Sequence, residues 1–405
     1  MKFEYRNYEL SNAIIDIAAG PFGSNLKVSC FTETGFPIID GANLKGITVT
    51  DNITKFVSED KARSLHRSIA KRRDIVVTIS GNVGQISYIP DNSQYAEYLC
   101  SQRQFRVTFD ESKIYVPYLV YYLHSVEGQS KILAFANQTG VPALSQPLKN
   151  FRKIKMDLPS LKNQHKIADV LSTLDEKIAT NRAINDNLEQ QVLAMYRNKF
   201  IDTTNAERTI CRADEFFDIS IGKTPPRKES QWFSNNPEDV TWVSIFDMGS
   251  CGLYIRKSSE RLTQEAVKRF NIKVVPDNTV LLSFKLTVGR IAITNGEMTT
   301  NEAIAHFKTD CKSINEYLYC YLRCFNFETM GSTSSIATAV NSKIIKGMPF
   351  VVPTNYELNE FHDIAAPMFA QIKANQNEIY NLTALRDTLL PELMSGELDV
   401  SAVEL

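Results

Sequence analysis

Apolar positions along this chain follow two rhythms. Short runs bounded by Gly, Pro, Asn or Asp, such as "DIVVTIS" (74–80) and "NTVLLSF" (278–284), predict strands. Between such runs, "SEDKARSLHRSIAKR" from Ser58 and "PYLVYYLHSV" from Pro117 predict helices, so the class expected is α+β. The segments "FRKIKMDLPSL" and "GMPFVVP" read as a last strand running into a proline stop. After each stop the rhythm lengthens. Ile167, Leu171, Leu174, Ile178, Asn181, Asn185, Leu188, Val192 and Met195 alternate steps of four and three, an a/d seam of about four heptads. Phe361, Ala365, Met368, Ile372, Asn375, Ile379, Leu382, Arg386 and Leu389 repeat those steps. Both seams carry Asn at the fifth place, which marks Asn181 and Asn375 as register residues of a two-helix coil, with an Asn facing water at the seam edge as the alternative. Pro367 is expected to kink the second helix or delay its start.

The doubled seam is the end of a longer duplication. "IIDIAAGPF" from Ile14 matches "FFDISIGKTP" from Phe216, with Asp16 against Asp218 and Gly20 against Gly222. "IIDGANL" from Ile38 matches "WVSIFDM" from Trp242. Ser58 and Thr263 open matching helices as caps. Val83-Gly84 falls on Val288-Gly289, "PYLVYYL" on "EYLYCYL", and "LPSLKNQ" on "VPTNYEL". The offset drifts only from about 205 to about 194 residues, so the order is kept and loops alone differ. The divisions predicted are 1–157, 158–203, 204–352 and 353–405: domain, long helix, domain, long helix. Two such helices pairing antiparallel place the two similar domains at opposite ends about an internal pseudo-two-fold axis. Some 35 residues of helix span roughly 50 Å, against a major groove that recurs about every 34 Å of DNA.

Composition narrows the classes. With 405 residues, 43% hydrophobic and 22% charged, the chain can bury more than one core. Its net charge of −1 conceals a Lys+Arg excess of about +4 over 1–160 and +2 over 205–352, against about −7 over 353–405. Seven cysteines without C-x-x-C spacing point to reduced thiols; the nearest approach to a metal box is His306, Cys311, Cys320 and Cys324, of which the last two, four apart in an apolar run, read as buried helical cysteines instead. The start lacks the basic and apolar stretches of a signal peptide, and no apolar run is long enough for a membrane span, so a cytoplasmic protein without a membrane partner is expected. No phosphate loop, dinucleotide fingerprint, zinc-protease helix or nucleophile elbow is present. The five histidines share no spacing, and Asp175-Glu176 is assigned to the solvated face of the coil. No catalytic residue and no metal ligand are therefore assigned.

Two pairs of matched loops remain. "AAGPFGSNLK" and "SIGKTPPRK" combine Gly and Pro with groups able to reach phosphates or base edges: Ser24, Asn25 and Lys27 in the first, Lys223, Thr224 and Arg227 in the second. "SGNVGQ" offers Ser80, Asn82 and Gln85 where "FKLTVGR" offers Lys285, Thr287 and Arg290. Like skeletons with unlike polar residues suit two readers of two different short sequences, although each residue alone is equally consistent with an ordinary glycine turn.

With these features the chain resembles the specificity (S) subunits of type I restriction-modification systems. The resemblance rests on the order domain, helix, domain, helix; the "GPFGS" and "GKTP" loops; "WVSIFDM"; the "VGQI" and "VGRI" turns; the entry "LPSLKNQHKI"; and the tail "RDTLLPELMSGEL". It implies that the two globular parts are target recognition domains, each reading half of a bipartite site in double-stranded DNA. It further implies that the coil sets the spacer and docks two methyltransferase (M) subunits, which carry S-adenosylmethionine. Restriction-translocase (R) subunits would bring ATP and Mg, leaving this chain non-catalytic and without a cofactor of its own. The second helix entry departs from the first, with Asn359 in the place of His165, so contacts with M subunits are expected to differ between halves. A stand-alone DNA-binding regulator or a coiled-coil adaptor remains the alternative.

Overall fold

A computed structural model describes residues 5–137, 140–202, 208–330 and 340–400. Its contacts divide the chain into two units, Met1–Glu176 with Leu382–Leu405, and Lys177–Asn381.

In the first unit the central sheet runs in the order Ile14–Ala19, Gln104–Phe109, Ile75–Thr78, Ile86–Tyr88, antiparallel throughout. All four residues of Ile75–Thr78 are buried, which explains an unbroken apolar run where an exposed strand would alternate. Ile75 and Val77 pack into the core that holds helix Val116–His124, while Val76 packs with Cys100 and Ala70 on the other side. A second sheet follows the order Phe31–Thr32, Phe56–Val57, Phe36–Ile39, Glu97–Cys100, Ile69–Lys71. The expected last strand, Lys155–Leu158, pairs with Arg6–Glu9.

The second unit repeats this arrangement. Its central sheet runs Asp218–Ile221, Ile304–Lys308, Val280–Ser283, Ile291–Thr294, and then adds Tyr254–Ile255 in parallel. Val280 and Leu282 face one core and Leu281 the other, the same two-sided burial. Its last strand, Pro349–Val351, pairs with Ile210–Arg212. Ser58 and Thr263 cap matching short helices, each hydroxyl accepting a backbone N–H, from Lys61 and Ala266.

Two expectations fail. The stretch from Ser58 to Arg72 is not one helix: Glu59–Ser64 is helical, His66–Ser68 forms a tight turn, and Ile69–Lys71 is a strand against Glu97–Cys100. Burial of Ile69 and Ala70 in the sheet overrides their helical spacing. The delayed start expected from Pro367 is not found, because its helix already begins at Asn355 and continues to Ser395. Thr354 and Glu357 start it as a reciprocal cap, and Pro367 is exposed, as is Asp363, whose carbonyl a proline four residues on cannot satisfy. The other long helix is Leu161–Tyr196.

Candidate nucleic-acid interface

In the first unit the loop after Ile14–Ala19 turns away at Gly20, whose N–H donates to Gln104 O at 2.7 Å. A Cβ at Gly20 would run into the Ser101 carbonyl, so the loop can leave the sheet here only through glycine. Buried Leu26 pins its far side, leaving Ser24, Asn25 and Lys27 exposed. The second loop turns at Gly81 and Gly84, both with positive φ. Gln85 at its end is not free: its amide donates to Gly41 O at 3.1 Å and accepts from Thr78 Oγ1 at 3.2 Å.

Two open clefts border these loops. One, of about 500 Å³, is lined by Asp40, Lys55, Ser80, Asn82, Gln85 and Arg103 among others. The other, of about 700 Å³, takes in Phe22, Asn25, Arg67, Ser80 and again Arg103. The structure thus gathers Asn25, Ser80, Asn82 and Gln85, while Ser24 and Lys27 lie outside both walls. Shared by both clefts, with Ser80, are Gln102 and Arg103, two exposed residues absent from the loops that the sequence marks. Their signal is weak, because "SQRQ" looks like any polar connection between strands.

In the second unit Gly222 sits on the backbone of Thr300 and Asn301 as Gly20 sits on Ser101. Three of the residues marked there are engaged internally. Lys223 Nζ donates to Phe270 O at 2.7 Å, Thr224 bonds Glu302, and Arg227 pairs with Glu260 at 2.8 Å. The Arg227 guanidinium also lies 4.5 Å from the ring centres of both Phe233 and Trp242. Arg290 Nη1 donates to Ile245 O at 2.6 Å. This bond is the counterpart of Gln85 to Gly41, so both units brace the second loop from the same position with different side chains. Lys285 and Thr287 are exposed at the tip.

Beneath the first loop the units differ. Arg106 lies opposite Ala18 and Val76, and His306 opposite Ser220 and Leu281, at the same place in the two sheets. Arg106 donates to Asp16 at 2.7 Å and to Arg67 O at 3.0 Å, and lies 4.0 Å from buried Asp74. Its hydrogen bond holds the Asp16 carboxyl below the usual range, whereas burial pushes Asp74 up. His306 is fully buried between Ser220 Oγ (3.0 Å from Nδ1) and Thr300 Oγ1 (2.7 Å from Nε2). Burial, and secondarily Lys308, lower its pKa to about 3, so the ring is neutral. The Thr300 hydroxyl reaches Asn301 O at 3.2 Å, which leaves Nε2 to donate and Nδ1 to accept from Ser220. Asp218 finds its cation two residues along the strand, at Lys308, 2.6 Å away.

The long helices meet polar partners within each unit. In the second, Asn181 is 2% exposed and donates to Glu378 at 2.8 Å, and Asn375 is 5% exposed and donates to Asn185 at 2.9 Å. With Lys199 on Glu360, these pairs run in opposite chain directions, so the segments are antiparallel. In the first unit Asp175 is not on a solvated face: it accepts from Tyr121 Oη at 2.7 Å and pairs with Arg386 at 2.7 Å. The helix entry has its own logic. Gln164, fully buried, accepts from Tyr115 N at 2.8 Å and donates to Pro159 O at 2.9 Å, and His165 stacks on Tyr115. Leu358 and Asn359 occupy these places in the second copy.

A family model described as the type I restriction modification DNA specificity domain matches residues 23–190 and again 207–382. The chain belongs to this family. The type I specificity proteins it resembles include the MjaIX specificity subunit of Methanocaldococcus jannaschii, 25% identical over 371 residues, 85% of this chain and 82% of that one. The HindI specificity subunit of Haemophilus influenzae is 20% identical over 321 residues, 60% of this chain and 69% of that one. In fold the chain is similar to the crystal structure of a type I restriction-modification S subunit from M. genitalium, with TM-score 0.58 and 15% identity over 96% of each chain. The α+β class, the two similar domains and the two long helices stand as expected, and the chain is a non-catalytic type I specificity subunit with two target recognition domains. Among the described residues no group of three or more His, Cys, Asp or Glu is placed to hold a metal ion, and no helix is long and apolar enough to cross a membrane.

Proposed function

We propose that the loops of each unit read one half of a bipartite site in double-stranded DNA. The observation that carries this reading is the matched construction of the loops. Gly20 and Gly222 seat them on equivalent backbone, Gln85 and Arg290 brace them through equivalent bonds, and the exposed side chains between are unlike. A fixed frame with different hydrogen-bonding groups is what two independent base-edge readers require. In the first unit the readers are Asn25, Asn82, Gln102 and Arg103, with Ser24, Lys27 and Ser80 in support. In the second Thr287 reads base edges and Lys285 holds the adjoining phosphate, while Lys223, Thr224 and Arg227 shape the first loop and approach DNA only by exchanging their internal partners.

On this reading residues 1–157 and 204–352 are the recognition domains, and 158–203 with 353–405 form the coil that sets the spacer, its register held by Asn181 and Asn375. The partners are two methyltransferase subunits carrying S-adenosylmethionine, and restriction-translocase subunits that use ATP and Mg, in the cytoplasm. The test is a map of methylated adenines in genomic DNA from cells with and without this chain. A two-part motif with a constant unread gap, present only with the chain, is expected; an identical map in both would contradict the reading.

A further inference from the structure

Leu286, at the tip of the second unit's second loop, is 100% exposed with φ at +61°. Thr287 N donates to Lys285 O at 2.7 Å, closing a three-residue turn around it. A leucine in such a turn carries a backbone cost that glycine does not, because a positive φ crowds its Cβ. The first unit avoids this cost: the matching residue is Gly81, with φ at +92°. Nor is the tip loose. Ser283, fully buried, holds Thr287 O at 2.6 Å through its hydroxyl and accepts from Arg290 N at 3.0 Å, and Arg290 is itself anchored on Ile245 O. The leucine side chain does nothing for the unit that bears it, so its use lies outside the unit. Its neighbours in sequence, Lys285 and Thr287, are exposed groups suited to phosphate and base edges.

We infer that Leu286 is the apolar specificity contact of the second unit, pressed against a base of its half-site. This rests on the reading of the chain as a reader of bipartite DNA. Strain kept at an exposed position is accounted for when the surroundings enforce it and the side chain is used. A rigid tip also spares the ordering cost on binding. Two base surfaces offer the same apolar chemistry: a thymine methyl in the major groove, or the face of a base at an opened step.

The test uses the full chain assembled with its methyltransferase partner and the site obtained from methylation mapping. Leu286→Gly keeps the backbone conformation and removes the side chain, so its melting temperature should equal or exceed that of the parent. Its methylation map should keep the first half of the motif and become degenerate at one position of the second, with discrimination there reduced about tenfold. Leu286→Met, which retains apolar reach, should restore much of it. Replacing thymines of that half by uracil should weaken the parent but not Leu286→Gly if the methyl is the target. 2-Aminopurine should brighten with the parent alone if a step is opened. Lys285→Ala should weaken all sequences alike and lower the salt dependence. A two-part parental motif that Leu286→Gly leaves unchanged in sequence and affinity overturns this inference alone. A parental complex without a two-part motif overturns the underlying reading with it.

Discussion

Arg106 and His306 occupy one position in two copies of the same sheet, and they solve the same local problem in opposite ways. In the first unit a permanent cation lies beneath the loop and draws Asp16 and Asp74 around it. In the second a neutral ring links Ser220 to Thr300, and the cation has moved along the strand to Lys308 beside Asp218. The backbone frame therefore tolerates a change of buried charge, provided each polar group keeps a partner. Duplicated recognition domains can diverge from the inside outward without losing the strand order that presents their loops.

The largest effect should come from removing the cation. Arg106→Leu leaves buried Asp74 and half-exposed Asp16 without their guanidinium, and should destabilise the first unit by about 3 kcal/mol. His306→Leu strips only neutral hydrogen bonds and should cost the second unit about 1 kcal/mol. Hydrogen exchange resolved along the chain would report each, and equal losses would break the comparison. Next in size is pH. The folded ring of His306 resists protonation until about pH 3, whereas the unfolded one takes a proton near 6.5, so the unfolded state binds more protons between those values. Stability of the second unit should thus fall as pH drops, by about 2 kcal/mol from pH 7 to pH 5. His306→Gln should abolish that slope. The smallest effect concerns the coil: a double-mutant cycle on Asn185 and Asn375 should give a coupling near 1 kcal/mol. A coupling indistinguishable from zero would leave the buried Asn pair without an energetic role in register.

What was legible in the chain and what was not follows from the range of each interaction. Ile75–Thr78 and Val280–Ser283 announced themselves because strands covered on both faces must be apolar throughout. The caps at Ser58 and Thr263 depend on a backbone N–H three residues on, and were equally plain. By contrast, Arg106 meets Asp16 across 90 positions and Ser220 meets His306 across 86, so neither pair could be found from spacing. Asp175 looked solvated because its partners, Tyr121 and Arg386, lie 54 and 211 residues away. Among the loop residues, polarity located the segments but could not separate Asn82, exposed at a tip, from Gln85, Arg227 and Arg290, whose heads are taken by other parts of their own unit. Arg103 escaped notice for the converse reason, since only the fold reveals that a strand connection forms the wall between two clefts.

That two matched frames each read their own short sequence is tested most directly by exchanging one of them. Residues 1–157 would be replaced by the corresponding domain of a relative with a different motif, and methylated adenines mapped across the genome. A hybrid motif is expected, in which one half changes to that of the donor while the other half and the gap are retained. A motif altered in both halves, or left as it was, would contradict this expectation.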